Sequence, residues 1–142
     1  ATCLRRVYGA IIVKNDEIVA TGYNGAPRGR RNCTDLGYCT REALQVPSGQ
    51  RYELCRSVHA EANAIISAPR SEMIGSTLYL VGLEYKDGSY VVNANPCAMC
   101  KRMIINAGIE CVIVRDTKDT YRIIDVYESW VNQDASMEQI GY

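Results

Sequence analysis

Residues 7–13, V-Y-G-A-I-I-V, are apolar and β-branched, which predicts a strand. Asn15-Asp16 supplies a turn, and E-I-V-A-T-G-Y (17–23) returns as a second strand, so the chain opens on a hairpin. Residues 25–57 are polar and broken by Gly25, Pro27, Gly29, Gly37, Pro47 and Gly49. They read as a long loop region with one short helix near Arg41 to Leu44. Loops of that length are usually functional or pinned by something. Residues 58–68, V-H-A-E-A-N-A-I-I-S-A, are alanine-rich and predict a helix that Pro69 ends. T-L-Y-L-V-G-L (77–83) predicts a third strand. Asp87-Gly88 is a hairpin signal, after which S-Y-V-V-N (89–93) predicts a fourth. Pro96 suits the first turn of a helix over Cys97 to Asn106, and Gly108 lies just past its end. E-C-V-I-V (110–114) predicts a fifth strand, and residues 119–132 a last, amphipathic helix.

Strand–helix–strand alternation in the middle of the chain predicts parallel strands joined by helical crossovers. The fold class is α/β, one sheet with helices packed across it. The chain has 142 residues, the size of one domain, and no internal repeat or boundary divides residues 1–142. The 84–95 stretch reads as a hairpin extension of that domain. Net charge is zero with no block of like charge, which argues against a nucleic-acid surface. No apolar run approaches a membrane span, and no signal segment opens the sequence, so a cytoplasmic protein is expected.

Seven cysteines are many for a reducing compartment, where clustered thiols suggest metal binding or catalysis. Cys97 and Cys100 share a helical face in P-C-A-M-C. Alone, that spacing allows a redox pair, half of a structural zinc site, half of a catalytic one, or packing. The single histidine, His59, arrives in H-A-E, with Glu61 two residues on. One imidazole and two thiolates make three zinc ligands and leave a fourth position open, as in catalytic sites. Glu61 can face the same cavity without ligating and move protons. H-x-E followed by P-C-x-x-C is the pattern of zinc nucleobase deaminases.

On these motifs the chain resembles the cytidine/deoxycytidylate deaminase superfamily. V-Y-G-A-I-I-V, T-G-Y-N-G-A-P-R-G, V-H-A-E-A-N-A-I and P-C-A-M-C-K-R-M-I-I-N-A-G-I occur in that family's order. The resemblance implies a three-layer fold whose five-stranded mixed sheet carries two adjacent zinc-bearing helices. T-G-Y-N-G-A-P-R-G is most similar to the deoxycytidylate (dCMP) deaminases, which implies hydrolysis of dCMP to dUMP and ammonia. By the same resemblance, Asn24 would meet the substrate sugar and the Ala60 N–H the pyrimidine 2-carbonyl. Arg28, Arg30 and Arg31 are candidates for the 5′-phosphate on charge and position. A homo-oligomer, from dimer to hexamer, is implied, with dCTP and dTTP as possible effectors. Some relatives carry a second, structural zinc in the loop region, and Cys3, Cys33, Cys39 and Cys55 could form such a site here. The alternatives are a deaminase of another base or nucleoside (cytidine, guanine or tRNA adenosine) and a non-catalytic zinc-binding module.

Overall fold

A computed structural model describes residues 2–47 and 49–133. β1 (Arg6–Lys14) and β2 (Glu17–Tyr23) form the expected antiparallel hairpin. Its turn holds Asn15 and Asp16 at φ 52° and 62°, which short polar side chains tolerate better than other non-glycine residues. The loop region that follows is partly helical, with α1 (Cys33–Leu36), α2 (Thr40–Ala43) and a 3₁₀ turn at Tyr52–Leu54. Then come α3 (Ala60–Ile66), α4 (Arg70–Met73) and β3 (Thr77–Glu84). α5 (Ala98–Ala107) crosses over to β4 (Cys111–Arg115), which runs parallel to β3 as the alternation predicted. β5 (Tyr121–Asp125) closes a five-stranded sheet in the order β2-β1-β3-β4-β5.

Alternate residues of the central strands point to one core. Tyr8, Ala10 and Ile12 of β1, Leu78 and Leu80 of β3, and Val112 and Val114 of β4 are buried there against Ala60, Ala64 and Ile104. Fully burying a side chain such as Ile12 or Leu78 contributes about 1.5–3 kcal/mol. The helical face facing β2 is made of alanines, and this lets α3 sit close to the sheet.

Two expected elements differ. Residues 119–132 are not a helix: they form β5 and then a π-helical turn at Tyr127–Val131. Their apolar spacing suits either period, but β4 presents an open edge whose backbone groups need partners. Tyr121, Ile123 and Ile124 are residues that pack well in strands. The turn then lays Trp130, buried, within 5.5 Å of the Lys101 ammonium of α5.

Residues 89–93 form no strand. β3 already pairs with β1 along its length and with β4 over Thr77–Val81, so only its last residues have a free side. There the chain makes one bridge, Leu83 to Tyr90, and the Val91 N–H donates to the Gly82 carbonyl at 2.9 Å. Thus the count of five strands holds, with 121–125 in place of 89–93. A smaller departure follows. Pro96 precedes the helix instead of occupying its first turn, because Cys97 is the N-cap.

Candidate active site

His59 is the N-cap of α3, and several contacts set its place. Gly25 and Val58 exchange two backbone hydrogen bonds, at 3.1 and 2.7 Å, tying the end of β2 to the residue before His59. Asn63, one turn into the helix, donates to the Tyr23 carbonyl at 2.7 Å. α3 also rests directly on Gly22. A Cβ at that position would lie 2.3 Å from the Ala60 carbonyl oxygen and 2.5 Å from the Ala64 nitrogen. Across from it, α5 begins with Cys97 as N-cap and carries Cys100 in its first turn. The dipole of this ten-residue helix favours thiolate there.

The two helices bring His59 Nδ1 to 3.4 Å from Cys97 Sγ and 3.5 Å from Cys100 Sγ. The three donor atoms lie within 4.8 Å of one another, and this is the one such His/Cys/Asp/Glu group among the described residues. Zn–S bonds of ~2.3 Å and Zn–N of ~2.05 Å at tetrahedral angles require a sulfur–nitrogen separation of about 3.5 Å. The residues present therefore fit zinc in both donor chemistry and spacing. All three are buried, at 7, 2 and 1% exposure.

The thiols share a proton in a way that a metal would replace. Cys97 is held well below the ordinary thiol range, first because Cys100 hydrogen-bonds to it and next because His59 does, against the cost of burial. Cys100 is pushed far up by holding that shared proton, by burial and by the charge of Glu61. A dication that takes the place of the proton leaves both sulfurs as ligands. Glu61 itself is wholly buried and close enough to Cys100 to act on it by charge and hydrogen bond. It is thus enclosed beside the His59, Cys97 and Cys100 cluster.

The other expected residues divide. Asn24 is buried in the cleft that His59 lines, but its side chain is engaged with β1: Oδ1 accepts the Tyr8 N–H at 2.8 Å and Nδ2 donates to the Arg6 carbonyl at 2.9 Å. One Nδ2 hydrogen remains for a ligand. Ala60 is the first residue of α3, so its N–H has no acceptor within the helix. Arg28, Arg30 and Arg31 are exposed on and after a turn at Pro27–Arg30, outside the residues that line the His59 cleft. The arginines on that cleft are Arg5, Arg6, Arg41 and Arg56, which sequence reasoning passed over. The only hint was R-R after T-C-L and R beside Cys55. Cys3, Cys33, Cys39 and Cys55 line the same cleft. Burial raises the Cys33 thiol, and the other three thiols push it further. They gather around one space without reaching metal-ligand spacing.

The Tyr52 ring makes a T-shaped contact with His59, with centroids 5.0 Å apart, and the Arg41 guanidinium lies 4.4 Å from the centre of the Tyr52 ring. Burial pushes its hydroxyl up to about 12. Tyr52 thus packs against the imidazole, and Arg41 against Tyr52. No spacing rule marks a residue seven positions upstream as its support.

Comparison with known proteins agrees with the geometry. Residues 1–116 match the family described as the cytidine and deoxycytidylate deaminase zinc-binding region. The deoxycytidylate deaminase of Mycobacterium phage D29 is 37% identical over 116 residues, 78% of this chain and 79% of that protein. The deoxycytidylate deaminase of Schizosaccharomyces pombe is 34% identical over 80% of this chain, which spans 31% of that longer protein. A crystal structure of the dCMP deaminase of cyanophage S-TIM5 covers 79% of this chain at 30% identity, with 68% of its own length matched and a TM-score of 0.49.

Proposed function

The chain belongs to the cytidine and deoxycytidylate deaminase family, and from that premise we propose that it hydrolyses dCMP to dUMP and ammonia. The observation that carries this reading is the buried Glu61 beside the His59, Cys97 and Cys100 cluster. His59, Cys97 and Cys100 would hold zinc, whose Lewis acidity would bring the pKa of a water down to about 7. Glu61 takes the proton of that attacking water and delivers it to pyrimidine N3. A second proton from the same oxygen passes through Glu61 to the exocyclic amine. The C4–N bond breaks, oxygen stays on C4, and ammonia leaves. Such proton transfer contributes about 10²–10⁴-fold in rate. The Ala60 N–H meets the 2-carbonyl, and the free Asn24 hydrogen meets the sugar.

The 5′-phosphate falls to an arginine. Arg28, Arg30 and Arg31 were the expectation. Arg56 has a better position, since it lines the cleft with His59 and also a notch with Arg30, and its buried Nε–H has no acceptor. A second zinc drawing Cys3, Cys33, Cys39 and Cys55 together would pin the 25–57 region. Two zincs per chain on metal analysis support it, and one zinc with four native, titratable thiols ends it. We further infer a cytoplasmic homo-oligomer, with dCTP and dTTP as candidate effectors. All seven cysteines are free, and no described helix is long and apolar enough to cross a membrane.

Ammonia release measured from dCMP, cytidine and adenosine tests the substrate. A preference for dCMP is expected. Equal turnover of cytidine would sink the nucleotide reading, and no turnover of any base with zinc bound would favour a non-catalytic module.

A further inference from the structure

Residues 85–96 carry the chain from β3 to Cys97. Val91 and Ala94 are buried in the core, at 4 and 1% exposure. Between them Asn93 adopts φ 61°, a left-handed conformation that asparagine tolerates better than other non-glycine residues, and hydrogen bonds hold it there. What holds it comes from the far edge of the sheet. Asp116, just past β4, accepts the Asn93 N–H through Oδ1 at 3.0 Å. Arg122 of β5 grips both oxygens of that carboxylate, Nε to Oδ2 at 2.7 Å and Nη2 to Oδ1 at 2.9 Å. The same Nη2 donates to the Ala94 carbonyl. One bidentate ion pair thus clamps the N–H of Asn93 and the carbonyl of Ala94, three residues ahead of Cys97. The forked guanidinium gives the clamp direction as well as strength.

We propose that Asp116 and Arg122 are positioning residues for the metal centre: their clamp on Asn93 and Ala94 fixes the loop that aims Cys97 Sγ at His59 and Cys100. The inference rests on the zinc reading of that cluster. Outer-shell partners usually orient metal ligands through one hydrogen bond. Here the support acts through the backbone that leads into the N-cap ligand. It also gives a task to β5, which lies beyond residues 1–116 where the family match ends. Pairing β5 on β4 presents Arg122 to both Asp116 and Ala94, with Arg122 opposite Val114 on the core side.

The test uses the full chain loaded with zinc and, separately, with cobalt(II), whose visible bands report ligand geometry. Transfer of zinc to a chromogenic chelator is timed well below the melting temperature. Arg122→Met is expected to speed zinc transfer about 10-fold or more and to shift the cobalt bands. Arg122→Lys is expected to recover part of the difference. Ile124→Ala, a β5 change away from the clamp, is expected to lower Tm without changing zinc release. Wild-type release and cobalt bands in Arg122→Met, with only Tm reduced, would overturn the proposal. If that variant does not fold, Asp116→Asn decides, since it loosens the same clamp: unchanged release there also overturns it. Wild-type protein with no affinity for zinc would instead refute the metal reading beneath it.

Discussion

Gly22→Ala tests how closely the catalytic helix is seated. The added carbon would stand 2.3 Å from the Ala60 oxygen and 2.5 Å from the Ala64 nitrogen. Both are backbone atoms, so no side-chain rotation relieves the overlap. Contacts between non-bonded heavy atoms relax near ~3.5 Å, so β2 and α3 must separate by about 1 Å. Overpacking of this kind typically costs ~1–3 kcal/mol, a fall in Tm of roughly 3–12 °C for a chain of this size. Catalysis should suffer more, because His59, Ala60 and Glu61 move with the helix. A misplacement of ~1 Å can cost about 10²-fold in rate. Gly9→Ala is the control, since its Cβ would meet Val81 Cγ1 at 3.9 Å, an ordinary contact. The assay is steady-state ammonia release with thermal melting of the zinc-loaded proteins. The expected result is a loss of about 100-fold in kcat for Gly22→Ala and little change for Gly9→Ala. Wild-type turnover and Tm in Gly22→Ala would refute the claim that α3 is held at its site by direct contact with β2.

Other expectations follow from single residues. Glu61→Gln should keep zinc, measured by metal analysis, while kcat falls by about 10²–10⁴-fold; near-normal turnover would remove Glu61 as the proton carrier. Cys100→Ser should lose metal and activity together, and full zinc occupancy in that variant would contradict its role as ligand. Asn24→Ala strips partners from the buried Tyr8 N–H and the Arg6 carbonyl, which should cost about 1–3 kcal/mol in a denaturant titration without substrate. Asp116 is held below the ordinary carboxylate range by its bonds to Arg122, so its folded pKa lies below its unfolded one. Its contribution to stability is therefore complete above the unfolded value of ~3.9 and is lost as pH falls through the folded value. The Tm gap between wild type and Asp116→Asn should shrink on acidification across that window, and a gap independent of pH would mean the pair is not acting through its charge.

Much of this protein was written locally in its sequence. The hairpin of β1 and β2, the helical start at His59 and the P-C-x-x-C turn depend on short-range rules: period-two apolar runs, turn residues and ligands one helical turn apart. The candidate metal ligands, which the fold does bring together, were legible for the same reason. Zinc chemistry restricts the residue types so tightly that one histidine, two thiols and a glutamate at the right spacings leave few other readings. What the sequence could not decide was which segments compete for the same edge. Residues 89–93 read as a strand and 119–132 as a helix, yet 121–125 also carry the aromatic and β-branched residues that a strand accepts. β3 had only its last residues free, whereas β4 offered a whole edge, so the later segment became the fifth strand. The support of the site depended on the same outcome. Tyr52 and Arg41 behind His59, Gly22 beneath α3, and Arg122 reaching across to Ala94 are set by which surfaces meet. Ligand identity is a matter of local chemistry, but the placement of those ligands is decided by pairing and packing between segments tens of residues apart, and only the tertiary structure determines that.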